Sequence, residues 1–158
     1  MRIKGHVFAG LLRGRPLVEI FFDRIAYMIG FEPYKGTMDI ELEKSIDIKM
    51  FATQTLEHVL MDGTKKINAY LAPADIISQN EGKEQRYRCW AMQQVEGPYG
   101  PDVVELIAKD MLREKFSLAE GSEIEIEIFE IPYAEKKNFL GALRNIMPRR
   151  KSQLMRGR

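Results

Sequence analysis

The stretch "LREKFSLAEGSEIEIEI", residues 112–128, contains the local signals that best indicate the fold class. It begins within a short helical pattern at about residues 110–116, and Gly121 then marks a turn. The last six residues alternate glutamate with isoleucine, which is typical of a strand with one buried face. A short helix, a turn and an alternating strand in this order favour a β-rich fold.

The rest of the chain is consistent with that interpretation. Strand patterns cover residues 3–9, 37–42, 55–61, 65–71 and 85–94. Turns or loops are predicted at residues 10–16, 62–63, 80–83 and 95–101. A helix is predicted over residues 18–29 with its end at Gly30, another over residues 135–147, and residues 103–108 fit a strand or a helix. Many short strands with a few helices predict a mainly β protein, a compact barrel decorated by helices.

Composition excludes several classes of protein. The 158 residues suit one domain, and the apolar content of 45% and charged content of 30% are ordinary for a globular protein. A net charge of +1 argues against a general nucleic-acid binder, although residues 149–158 are locally basic. That basic stretch fits either a solvated tail or a binding element. The sequence shows no membrane-spanning segment and no signal peptide.

Cysteine and histidine are scarce, which limits the possible metal chemistry. Cys89 is the single cysteine, so no intramolecular disulfide can form and a reducing cytosol is expected. His6 and His58 are the only imidazoles, too few for the usual zinc sites. A metal ion would therefore be held by oxygen atoms, which points to Mg²⁺ or Ca²⁺.

Thr37 and Asp39 are candidate metal ligands in the stretch "GFEPYKGTMDIEL", residues 30–42. They lie two residues apart in a predicted strand, so both side chains project from one face. A hydroxyl beside a carboxylate suits Mg²⁺. The same spacing also fits an ordinary edge strand with a solvated polar face.

Three further features leave alternatives open. The stretch "GLLRGRP", residues 10–16, could bind phosphates through its backbone amides and arginines, or could be a surface turn. Glu105 lies inside the apolar run "VVELIA" and could face outward from a strand or act as a site acid. Trp90 and Tyr99 fit core and loop positions better than stacking platforms.

Taken together, residues 30–42 and the stretch "LREKFSLAEG", residues 112–121, resemble the archaeal CTP-dependent riboflavin kinases, over about residues 3–129. The resemblance implies a compact six-stranded cradle-loop β-barrel over residues 1–130, followed by a C-terminal helix and basic tail over residues 131–158. It also implies a cytoplasmic transferase of FMN biosynthesis. Such a kinase transfers the terminal phosphoryl group of CTP to the 5′-hydroxyl of riboflavin, giving FMN and CDP, with Mg²⁺ as cofactor.

The resemblance also implies roles for individual residues. Thr37 and Asp39 match the family's metal-binding Gly-Thr-x-Asn motif, and Glu105 matches a flavin-contacting glutamate that would orient the ribityl hydroxyl or take its proton. Gly97 falls near the position of a second flavin contact. The nucleotide-binding segments fall on Gly10, Leu11, Leu12, Arg13, Gly14 and Arg15, and on Asp110, Met111, Leu112 and Arg113.

The chain departs from the family pattern at several of these positions. Leu12 replaces the middle glycine of the first loop, and Arg13 stands where an acidic residue is common. Asp39 replaces the family asparagine, which keeps an oxygen ligand but adds negative charge. No counterpart of the family's flavin-contacting threonine is evident around Gly97.

Two other functions are compatible with these departures. The first is a related barrel that binds a nucleotide or a flavin without transferring phosphate. The second is a DNA-binding barrel of the swapped-hairpin type, against which the near-neutral net charge counts. The sequence does not indicate an oligomeric state.

Overall fold

The computed structural model describes residues 1–10 and 14–130, and the side chains of these residues except those of residues 14 and 15. In this part of the chain there are seven strands, three α-helices and one 3-10 turn. The strands are β1 (Arg2–Phe8), β2 (Met38–Leu42), β3 (Gln54–Val59), β4 (Lys65–Asn80), β5 (Lys83–Gln94), β6 (Val103–Ile107) and β7 (Glu123–Ile128). The helices are α1 (Gly14–Ile20), α2 (Phe22–Ile29) and α3 (Leu112–Lys115), and the 3-10 turn is Ile48–Met50.

The strands form one antiparallel sheet that closes on itself. Their order is β3-β4-β5-β6-β2-β1-β7, and β7 also pairs with β4, with Ala74 opposite Ile128. Among the described residues the closed ring therefore contains six strands, from β4 round to β7, and β3 lies outside it on the first half of β4. This arrangement confirms the mainly β, barrel-like fold predicted from the sequence.

The long strand β4 makes the closure possible. Its first half pairs with β3 and its second half pairs with β7, both along the same edge, while β5 pairs along its whole length on the other edge. Two tight turns set this geometry. Gly63 and Gly82 have φ values of 84° and 75°, the left-handed conformation that glycine adopts without steric cost.

Strand β2 is an interior strand of the ring, so the alternative of an edge strand for residues 37–42 is wrong. It pairs with β1 on one side and with β6 on the other. The segment of residues 103–108, which fits two structures by periodicity, is a strand because its backbone pairs with both β2 and β5.

Buried apolar side chains form two clusters on the two faces of the sheet. The cluster inside the ring includes Val7, Ile40, Ala91, Val104, Leu106 and Ile126. The other lies between the sheet and helices α1 and α2, and includes Val18, Ile25, Leu71, Trp90, Met92 and Ile107. The helices thus cover the outer face of β4, β5 and β6, and Trp90 is a core residue as the sequence predicted.

The helical segment differs from the sequence-based expectation in two ways. The apolar spacing predicts a single helix over residues 18–29, but Phe21 leaves helical geometry at φ −105° and ψ 22° and separates α1 from α2. Its N–H still bonds the Leu17 carbonyl at 3.1 Å, so the break is confined to one residue. Helix α1 begins at Gly14, within the expected loop, because the first turn of a helix tolerates Pro16 without its N–H. Gly30 ends α2 at φ 84°, as predicted.

Within residues 1–10 and 14–130, no helix is both long and apolar enough to cross a membrane. The helix expected over residues 135–147, the basic tail and the proposed second segment of residues 131–158 lie outside the described residues.

Candidate active site

A row of four paired residues crosses the sheet where the candidate site residues lie. Phe8 of β1 is opposite Asp39 of β2, Asp39 is opposite Glu105 of β6, and Glu105 is opposite Met92 of β5. Paired residues project to the same face of a sheet, and Met92 packs in the cluster beneath the helices. Asp39 and Glu105 therefore face outward from the ring, beside the helical layer.

Thr37, Asp39 and Glu105 form an oxygen cluster at this point. The Thr37 hydroxyl lies 3.2 Å from Asp39 Oδ1 and 3.4 Å from Glu105 Oε1, and it can donate its one proton to either carboxylate. The prediction that Thr37 and Asp39 share one face is confirmed. The structure adds a second carboxylate, Glu105, which is 66 or more positions away in the sequence but adjacent in the sheet.

Both carboxylates are buried although they face outward. Asp39 is 6% exposed and Glu105 is 2% exposed, so the solvated polar face considered for residues 37–42 is wrong at Asp39, whereas Glu41 is exposed. The pKa of Glu105 is raised from 4.5 to about 7, mainly by burial and in part by the nearby charge of Asp39. Hydrogen bonds from Gln94 and Thr37 oppose this shift, and Gln94 Nε2 donates to Glu105 Oε2 at 2.8 Å.

Tyr99 and Gly10 cover Asp39 from outside. The Tyr99 hydroxyl donates to Asp39 Oδ2 at 2.8 Å, and its ring packs edge to face on Phe8, with the ring centroids 5.6 Å apart. A Cβ atom added to Gly10 would lie 1.6 Å from Asp39 Oδ2 and 2.3 Å from the Tyr99 hydroxyl oxygen. Only glycine fits at position 10, because the Asp39–Tyr99 hydrogen bond occupies the space of a side chain.

The larger of two cavities beside these carboxylates has a volume of about 330 Å³, and five of the ten predicted nucleotide-binding residues line it. It is lined by Gly10, by Tyr34, Lys35, Gly36, Thr37 and Asp39, and by Asp110, Met111, Leu112 and Arg113. The structure thus brings together two segments, Gly10 and residues 110–113, that lie a hundred residues apart in the sequence.

The smaller cavity, of about 200 Å³, lies on the side of Glu105. It is lined by Glu105, Gln94 and Tyr99, and by Gly97 of the loop between β5 and β6. The two predicted flavin-binding residues, Gly97 and Glu105, therefore lie in one cavity. Asp39 lines the larger cavity and is the sheet neighbour of Glu105, so the oxygen cluster lies between the two cavities.

Arg113 has a structural contact in addition to its place in the larger cavity. Its Nη2 donates to the Phe8 carbonyl at 2.7 Å, which ties α3 to the end of β1 just before residue 10. Asp110 accepts a hydrogen bond from the Tyr87 hydroxyl, and this bond lowers the pKa of Asp110. Of the remaining nucleotide-binding candidates, Leu11, Leu12 and Arg13 lie outside the described residues, and for Gly14 and Arg15 only the backbone, the first turn of α1, is described.

The residues at the junction fit a hard divalent cation such as Mg²⁺. Thr37 Oγ1 and Asp39 Oδ1 present two oxygen ligands toward the larger cavity. Mg²⁺ is commonly held by one or two protein oxygens while substrate phosphates and waters complete its octahedron. In residues 1–10 and 14–130 no group of three or more His, Cys, Asp or Glu residues is arranged to hold a metal, so a site built wholly from such ligands is not present there.

Tyr99 and Gln94 are site residues that sequence reasoning missed. Tyr99 lies in the Gly- and Pro-rich stretch "GPYGP", residues 97–101, whose composition predicts a loop. A tyrosine in such a loop gives no local sign of its partner, because the Asp39 carboxylate is 60 residues away in the sequence. Only the pairing of β2 with β6 and the position of the loop after β5 reveal the contact.

Comparison with known proteins identifies relatives of this chain. The family model CTP-dep_RFKase, described as "Domain of unknown function DUF120", matches residues 7–128. The chain is 28% identical over 132 residues to a riboflavin kinase of Sulfurisphaera tokodaii, covering 82% of this chain and 96% of that protein. It is 27% identical over 132 residues to a riboflavin kinase of Sulfolobus acidocaldarius, covering 82% of each chain. A riboflavin kinase of Archaeoglobus fulgidus is 24% identical over 141 residues, which span 81% of this chain and 54% of that protein.

Proposed function

The chain belongs to the archaeal CTP-dependent riboflavin kinase family, and on that premise we propose that it transfers the terminal phosphoryl group of CTP to the 5′-hydroxyl of riboflavin. The observation that carries this proposal is the oxygen cluster of Thr37, Asp39 and Glu105 at the junction of two cavities. A kinase needs such a junction, because donor phosphate and acceptor hydroxyl must approach each other in line.

The donor nucleotide would occupy the larger cavity. Gly10 and residues 110–113 line it, and Thr37 and Asp39, which also line it, would hold Mg²⁺ there. When bound there, Mg²⁺ would neutralise charge on the phosphates of the nucleotide. The preference for CTP over ATP is supported by the family to which the chain belongs.

Riboflavin would occupy the smaller cavity, with its ribityl end toward Glu105. The 5′-oxygen attacks the terminal phosphorus of CTP, the bond from that phosphorus to the bridging oxygen breaks, and CDP leaves. Glu105 would accept the proton of the 5′-hydroxyl. Its burial and its raised pKa of about 7 suit a proton acceptor that works near neutral pH.

The test of the proposed function is incubation of the protein with riboflavin, Mg²⁺ and either CTP or ATP, followed by separation of riboflavin from FMN. We expect FMN with CTP and much less with ATP. If a folded protein forms no FMN with either nucleotide, the kinase proposal is wrong. Retained flavin or nucleotide binding would then favour the non-catalytic relative, and duplex DNA binding that weakens steeply with salt would favour the DNA-binding barrel.

The metal ligands are tested by Thr37→Ala and Asp39→Ala. Loss of groups that only orient a metal ligand typically costs about 10- to 100-fold in activity or metal affinity, so loss of a ligand should lower turnover at least that much. Thr55→Ala is the matched control, since Thr55 is a half-buried threonine on β3 outside both cavities. Unchanged turnover in both site variants would show that the metal lies elsewhere.

We also propose a cytoplasmic location, because a chain with a single cysteine and no possible intramolecular disulfide suits a reducing compartment.

A further inference from the structure

Tyr99 makes a contact that the proposed reaction does not itself require. It belongs to the loop between β5 and β6, which lines the smaller cavity, yet its hydroxyl bonds to a candidate metal ligand of the larger cavity. The side chain therefore spans the junction from one cavity to the other.

The contact determines how Asp39 can present its oxygens. Tyr99 donates to Oδ2 at 2.8 Å, and the backbone of Gly10 leaves no room for this oxygen to move outward. Oδ1 is then turned toward Thr37, at 3.2 Å. The terminal torsion of an aspartate has a broad energy profile, so without a partner on Oδ2 the carboxylate could rotate away from this orientation.

We propose that Tyr99 is a positioning residue, which holds the Asp39 carboxylate with Oδ1 turned toward Thr37, the other candidate metal ligand, and links the loop of the smaller cavity to these two residues. The proposal rests on the proposed function for the identity of the ligands. Movement of residues 95–102 when the smaller cavity is filled would be transmitted to Asp39 through this hydrogen bond. Occupation of the smaller cavity and cation binding are therefore energetically coupled, and each changes the affinity for the other by the same factor.

The experiment compares Tyr99→Phe with wild type and with Tyr27→Phe. Tyr99→Phe removes only the hydroxyl and keeps the ring that packs on Phe8. Tyr27 is an exposed tyrosine on α2 outside both cavities, which makes it a matched control. Affinity for Mn²⁺ alone is measured by water-proton relaxation, and FMN formation is measured as a function of Mg²⁺ and of riboflavin.

We expect Tyr99→Phe to weaken Mn²⁺ binding about tenfold, the usual effect of losing a hydrogen bond to a charged group. The Mg²⁺ concentration that gives half-maximal turnover should rise by a similar factor, whereas the KM for riboflavin at saturating Mg²⁺ should stay unchanged. Riboflavin should tighten Mn²⁺ binding in the wild type and in Tyr27→Phe, and less so in Tyr99→Phe.

Unchanged Mn²⁺ affinity in folded Tyr99→Phe overturns the proposal. If the KM for riboflavin is also raised in that case, Tyr99 is a flavin contact instead. If wild type forms no FMN but Tyr99→Phe still weakens Mn²⁺ binding, the proposed function fails and the positioning role stands.

Should Tyr99→Phe not fold, Phe8→Leu provides the test, because it removes the ring against which Tyr99 packs. It should weaken Mn²⁺ binding by about threefold, the effect of an aromatic pair, and unchanged affinity in this variant also overturns the proposal.

Discussion

Replacing Gly10 with alanine would place a methyl group inside the hydrogen bond between Asp39 and Tyr99. The added carbon would lie 1.6 Å from Asp39 Oδ2, 2.7 Å from Asp39 Cγ and 2.3 Å from the Tyr99 hydroxyl oxygen. Cβ atoms essentially never approach other heavy atoms within 3.0 Å, so Oδ2 must move by about 1.4 Å or the backbone at residue 10 must shift. Asp39 has little room to move, since its strand is paired on both sides.

Two magnitudes follow from this displacement. Overpacking of a closely packed site typically destabilises a protein by about 1–3 kcal/mol. A misplacement of about 1 Å in a catalytic group can lower turnover by about 100-fold. We therefore expect Gly10→Ala to fold with reduced stability and to form FMN about 100-fold more slowly. It should also bind Mn²⁺ at least tenfold more weakly, because the substitution disrupts the hydrogen bond between Tyr99 and Asp39.

Gly5→Ala separates overpacking from damage to the site. Its added carbon would lie 2.5 Å from the Glu41 carbonyl oxygen and 2.6 Å from Ile40 Cγ2, a clash with β2, the strand of Asp39, that touches neither carboxylate. Urea unfolding should show a comparable loss of stability in both variants, while Mn²⁺ relaxation and FMN formation should be impaired specifically in Gly10→Ala. Wild-type Mn²⁺ affinity in Gly10→Ala, or equal impairment in Gly5→Ala, would refute the proposed packing of Gly10 on Asp39.

Two further predictions concern buried titratable groups. Because burial raises the pKa of Glu105 from 4.5 to about 7, this group stabilises the fold fully below pH 4.5, and about 3 kcal/mol of that stability is lost as the pH rises through 7. The side chain of Glu105→Gln carries no charge at any pH, so the free energy of unfolding of this variant, measured by urea unfolding in EDTA, should not show this decline. Parallel pH profiles for the two proteins would contradict the assignment. Cys89 is fully buried, and burial raises the pKa of its thiol. The native protein should therefore react with a disulfide reagent at pH 8 only after urea is added. Rapid reaction of the native protein would show that the ring opens at β5.

Local features of the fold were predictable because short-range sterics and periodicity determine them. The turns at Gly63 and Gly82, the helix end at Gly30 and the alternating strand β7 all follow from a few neighbouring residues. The break at Phe21 was not predictable, since the apolar spacing continues across it and only the backbone dihedrals of one residue change. The position of β2 inside the ring was also missed, because an isolated strand pattern does not reveal how many neighbours the strand has.

The sequence by itself determined several turns, the helix end at Gly30, the alternating strand β7, and the pair Thr37 and Asp39 on one face of a strand. Tertiary structure decided that Asp39 is buried and that Glu105, Tyr99 and Gly10 meet beside it. The reason is that the register between strands and the path of the covering loops depend on closure of the whole ring, which no local pattern encodes. The outward face of β2 became a candidate catalytic site only because a loop from β5 and the end of β1 cover it.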